Sequence, residues 1–224
     1  MDARDKRGHD GANGKPRHKQ KMSDAFDRFK FSFFDDPNSA RDGLDTASLA
    51  ALTGAERDKA EQMLLDYLPD GRGVIGLGVL RSRRAEAPLT RQFDKASRND
   101  AGFVDLATAL WRIKPDKRWL AAVTDVLASS HDEMQRMQAA LALASFADPA
   151  AVTVLIAALD DADRLVRHHA ARTLLKLHGI DADVVTSDSE HMMYRVMASD
   201  AARRESGKRD VLNAIEGKRI VAPK

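Results

Sequence analysis

Cysteine is absent from all 224 residues, which excludes disulfide scaffolds, thiolate-bound zinc and iron–sulfur clusters. Aromatic residues amount to only 5%. No apolar run reaches the roughly 18 residues that a membrane-spanning helix needs. The basic, polar segment from Met1 to Lys21 has no apolar core of the secretory type, so a cytoplasmic protein without a membrane partner is expected. Also missing are the nucleophile elbow G-x-S-x-G, a Walker sequence ending in Gly-Lys-Ser or Gly-Lys-Thr, and the zinc motif H-E-x-x-H. What remains is a soluble-type composition, with 43% hydrophobic and 31% charged residues.

The net charge of +2 is unevenly placed. Residues 1–21 hold seven Lys or Arg against three Asp, whereas the other 203 residues hold 29 basic and 31 acidic groups. The basic excess thus sits in a Gly- and Lys-rich tail of the kind expected to be disordered, and Met22 is an alternative start. Within the body, residues 35–70 carry nine acids and three bases, and residues 72–98 carry seven bases and two acids. An open basic layer of this kind favours an acidic protein or a phosphate backbone, while opposite signs on adjacent layers can also satisfy each other.

Helix signals dominate the rest. Thr53-Gly-Ala-Glu56, Ser130-His-Asp-Glu133 and Ser187-Asp-Ser-Glu190 have the spacing of capping boxes, and Asp148-Pro149 reads as an N-cap followed by Pro at the first helical position. No segment alternates in the strand manner, and the fold class is all-α. An internal repeat is visible as well. Gly76, Ala107, Ala140 and Ala171 are small residues 31, 33 and 31 positions apart, each followed by apolar residues three and four places on. A second apolar helix follows each anchor after a short break, beginning with Leu89 to Phe93, then Trp119 to Leu127, then Val152 to Leu159. One such pair cannot bury its apolar face alone, so stacking is obligatory.

The run from Asp148-Pro149 through Leu159, then Asp163 through Val166-Arg167 to Leu174, resembles the HEAT-like repeats of phycobilisome-lyase-type proteins. The likeness is strongest over 131–179 and weaker toward 72–98. It implies an α-solenoid of stacked antiparallel helix pairs, about four repeats with a cap at each end. It also implies that the Asp-to-Arg spacing at Asp132/Arg136 and Asp163/Arg167 forms a ladder between repeats. An i,i+4 acid–base pair on one helix would give the same spacing. The expected domains are a basic tail (1–22), an aromatic and helical cap (23–71), the repeat core (72–180) and a C-terminal cap (181–224) with a frayed end from Ile220.

Individual motifs read as structure more readily than as chemistry. Gly71-Arg-Gly73-Val-Ile-Gly76 matches the dinucleotide pattern but follows a helix instead of a strand, and Gly76 occupies an anchor position. His168 and His169 are adjacent on a helix and point two ways, so no metal site, cofactor or catalytic set is expected. Trp111 and Trp119 fall on inward repeat positions. Five of the eight Phe lie between residues 26 and 34, as an end cap or a docking segment.

The positions left over by repeat packing, three before each anchor and one and five after it, define the expected exposed stripe. They give the partner-binding candidates Arg81, Thr108, Arg112, Met137, Leu141, His168, Arg172 and Lys176, with Leu77 and Val104 on the same stripe. The resulting expectation is a non-catalytic protein-binding solenoid of adaptor, inhibitor or immunity type, whose partner is an acidic protein or a toxin. The alternatives are a nucleic-acid binder or a HEAT-like DNA glycosylase using the basic layer, and a chromophore-handling lyase by resemblance alone.

Overall fold

The computed structural model describes residues 22–35, 43–181 and 187–221, and helices account for all its regular structure. Four short or capping elements come first: α1 (Asp24–Lys30), a π turn (Phe31–Asp35), α2 (Thr46–Ala50) and α3 (Gly54–Asp66). The repeat follows as α4 (Gly71–Val79), α5 (Glu86–Lys95), α6 (Phe103–Ile113), α7 (Lys117–Ser129), α8 (Glu133–Ala142), α9 (Pro149–Ala158) and α10 (Arg164–Leu177). The last pair is α11 (Ser187–Met197) and α12 (Ala201–Ile215).

Short polar residues set where these helices begin. The side chains of Asp70, Asp116, Asp132, Asp148, Asp163 and Asp200 each accept a hydrogen bond from a backbone N–H of the following turn. Two expected capping boxes take another form. Asp132, not Ser130, caps α8, and Thr53 makes no side-chain cap on α3. The Glu56 carboxylate is instead drawn to Ser23, accepting from its N–H and its Oγ at 2.6 Å each, and so ties α3 to the start of α1. The side chains of the third box, residues 187–190, lie outside the described residues.

The stack has two layers. Helices α4, α6, α8 and α10 pack side by side, and α5, α7 and α9 back them from the second layer. This is an α-solenoid of stacked helix pairs. The anchors Ala107, Ala140 and Ala171 are fully buried, and Gly76 is buried with them. Small residues allow the close approach directly: a Cβ at Gly78 would lie 2.8 Å from the Ala109 Cα. Buried Leu110, Leu143 and Leu174, three residues past successive anchors, fill the space between layers.

Polar bonds also join successive layers. Thr173 Oγ1 donates to Ala140 O at 2.9 Å, and Trp111 Nε1 donates to Ser145 O at 3.0 Å. The Arg136 guanidinium binds Asp161 bidentately, Nε to Oδ2 at 2.8 Å and Nη2 to Oδ1 at 3.0 Å. Arg167 is only 5% exposed and donates to Asp161 O, Ala162 O and Val196 O at 2.7–2.9 Å. Neither arginine pairs with the aspartate four residues before it. Asp132 and Asp163 are spent as N-caps, and each arginine instead reaches into the layer that follows.

Both ends are closed by atypical elements. Phe26, Phe29 and Phe33 are buried in the N-terminal cap, with Tyr67 edge-on to Phe33 at 5.2 Å. Phe31 points outward. At the other end α11 and α12 pack tightly, and a Cβ on Gly207 would come 2.5 Å from Val196 N. The expected frayed end is tied down at its start: Ile220 packs against the core and the Val221 N–H donates to Leu177 O at 2.8 Å. The tail at 1–21 and residues 222–224 lie outside the described residues.

Candidate partner-binding face

The exposed stripe survives on α8 and α10 and closes on α4 and α6. Leu77 and Val104 are buried, and so is Thr108, at 9% exposure. Thr108 therefore leaves the set of contact residues, and its Oγ1 donates back to Val104 O at 2.7 Å. The cause is the Gly78–Ala109 contact, which draws α4 and α6 together and narrows the face between them. The N-terminal cap also packs on α4 through α2.

On α8 and α10 the same positions reach solvent. Leu141 is 41% exposed and Met137 half-buried. One turn earlier on the same stripe, Met134 is 52% exposed and its repeat equivalent Leu165 is 40% exposed. The repeat phase at three before and one and five after each anchor does not include these two. Extending the three-four-four spacing by one turn toward each helix start would have found them. Beside this apolar patch lie half-buried His168 and Arg172, and exposed Lys176. Arg81 is exposed and Arg112 half-buried, farther along the stack.

The electrostatics of the face follow from burial. Desolvation lowers the Arg112 pKa, with Asp105 opposing the shift and Arg81 adding to it. Burial also raises the Asp105 carboxyl above its ordinary value. His168 and His169 do not point apart as expected: their rings meet edge to face at 5.1 Å, and both Nδ1 atoms are buried without a hydrogen-bond partner. Desolvation lowers both imidazole pKa values, so the pair is neutral at pH 7. Because the folded values lie below the unfolded value of about 6.5, stability contributed by the neutral pair is full above that pH and is lost as pH falls through the depressed values. Urea unfolding at pH 7.5, 6 and 5 is expected to show a steeper loss in the wild type than in a His168→Gln/His169→Gln variant. Parallel profiles would refute the linkage.

Among the described residues no three His, Asp or Glu side chains converge as a metal site. Trp119 is buried edge-on against Phe93 at 5.0 Å, and Trp111 packs on Phe146 at 4.8 Å. The glycines at 71, 73 and 76 lie within α4, whose N-terminus is capped by Asp70. Several cations of the basic segment are engaged: Arg72 bonds Asp70, Arg84 bonds Glu61 and Gln62, and Arg98 bonds Asp125. The Arg84 contact joins the basic layer to the acidic one before it.

No described helix is long and apolar enough to cross a membrane. Neither a curated protein nor a solved structure matches the chain. Residues 104–175 match the family model of HEAT repeats, and with the stacked helix pairs seen over the same stretch they form a HEAT-like repeat segment.

Proposed function

We propose that this chain is a non-catalytic protein-binding solenoid of adaptor or inhibitor type, acting in the cytoplasm. HEAT repeats commonly mediate protein–protein contact, which supports the general class. The observation that carries the reading is the patch of Met134, Met137, Leu141 and Leu165 on adjacent helices, bordered by Arg172 and Lys176. Methionine and leucine give adaptable apolar contact, and the cations favour an acidic partner. Opposite charges on the partner would set orientation and association rate more than affinity.

Affinity capture followed by mass spectrometry tests this. Leu141→Asp places a charge in the patch at an exposed site, so the variant is expected to keep the wild-type helical signal and melting temperature. It should retain less than a tenth of the captured partner. Lys176→Glu should reduce capture less, and more at low salt than at high. Equal capture by wild type and Leu141→Asp would reject the face. The nucleic-acid alternative predicts duplex binding that falls steeply with salt. Both tryptophan rings pack against phenylalanines, which counts against their use as base-stacking platforms.

A further inference from the structure

The same face carries two like charges that the fold leaves side by side. Helices α4 and α6 touch where Gly78 meets Ala109, and three residues on in sequence stand Arg81, just past the end of α4, and Arg112, in the last turn of α6. The two positive charges act on each other, Arg81 adding to the desolvation that lowers the Arg112 pKa. Among the described residues no carboxylate lies within 4 Å of either one. Asp105 attracts Arg112 from a greater distance, and the hydrogen bond that Arg112 makes is to a neutral hydroxyl, Nη2 to Ser145 Oγ at 3.0 Å. Arg81 holds its backbone at φ +50° as the left-handed cap of α4, its N–H donating to Gly78 O at 3.1 Å and the Ser82 N–H to Leu77 O at 3.0 Å. Helix dipoles favour a cation at each C-terminal end, but they do not remove the repulsion between two neighbours.

We propose that Arg81 and Arg112, with Ser145 alongside, form an oxyanion site that binds a carboxylate of the partner polypeptide. Two guanidiniums offer paired N–H donors in the geometry that a carboxylate accepts. Position supplies the source. Ser145 stands four residues past Leu141, so the apolar stripe of Met137 and Leu141 leads directly to the Arg112 guanidinium. A segment that sets Leu- or Met-like side chains beside an Asp, a Glu or a C-terminal carboxylate fits both halves. Naming a polypeptide as source rests on the binding reading above; the oxyanion site does not.

The test uses the full chain and three probes: N-acetyl-Leu-Leu-Asp, its uncharged analogue N-acetyl-Leu-Leu-Asn amide, and inorganic phosphate. The carboxylate peptide is expected to shift the Nε resonances of Arg81 and Arg112 in nitrogen-15 spectra, and to bind at least ten-fold tighter than the amide. Arg112→Gln should lose that ten-fold preference. Without any probe, Arg81→Gln should melt roughly 2–4 °C higher than wild type as the repulsion and its salt dependence disappear. A lower melting temperature would make Arg81 a structural residue and overturn the site. Arginine resonances unmoved by all three probes would do the same, and phosphate binding tighter than the peptide would overturn the carboxylate assignment. Capture lost in Leu141→Asp but intact in Arg112→Gln would remove the site and leave the binding function. Probe binding with capture indifferent to Leu141→Asp would support the site and remove that function.

Discussion

Arg167→Ala is expected to cost about 3–5 kcal/mol in urea unfolding, the sum of several buried carbonyls left without a donor. Arg167 is 5% exposed and its guanidinium donates to the carbonyls of Asp161, Ala162 and Val196. Each acceptor left buried and unbonded costs about 1–3 kcal/mol, reduced where water can enter. Arg167→Met, which keeps the length and loses the donors, should fall nearly as far. Arg167→Lys should recover only part, because one ammonium cannot reproduce the planar fork. A loss below about 1 kcal/mol for Arg167→Ala would mean that these bonds contribute little to holding α10 against the pair α11 and α12.

The second large effect is expected at Gly207. Even the Cβ of Ala would sit 2.5 Å from Val196 N and 2.8 Å from the Arg195 carbonyl carbon. Those atoms are backbone, so no side-chain rotation relieves the clash. Gly207→Val should destabilise by about 3 kcal/mol or more, at the upper end for overpacking. The loss should also be local. Hydrogen exchange is expected to lose protection across 187–215 while amides of 103–177 keep theirs, because stack stability is largely a sum over neighbouring layers. Uniform loss over the whole chain would show that the layers do not behave this way.

Much of this architecture was legible from residue types. The anchors at 76, 107, 140 and 171 are small because neighbouring helices nearly touch there, and this steric demand appears in any sequence that meets it. Asp148-Pro149 announced a helix start for the same local reason. The ladder was visible as Asp-to-Arg spacing, but its partners were not. Arg136 reaches Asp161 and Arg167 reaches carbonyls about thirty residues downstream, contacts that only the stacked layers create. The exposed stripe follows from the repeat phase alone. It fails at Val104 and Thr108, where Gly78 on the neighbouring helix closes the face, and at Leu77, next to that glycine on α4, whereas Leu141 is exposed as expected.

The downstream reach of Arg136 and Arg167 gives the stack a polarity that bears on how it is made. As the chain leaves the ribosome, a nascent α10 has already brought out its cation, but the carbonyls of residues 196–198 that receive it have yet to follow. The layers that hold Arg136 and Arg167 are thus finished only by chain synthesised after them, and the α11–α12 pair supplies the last acceptors for α10.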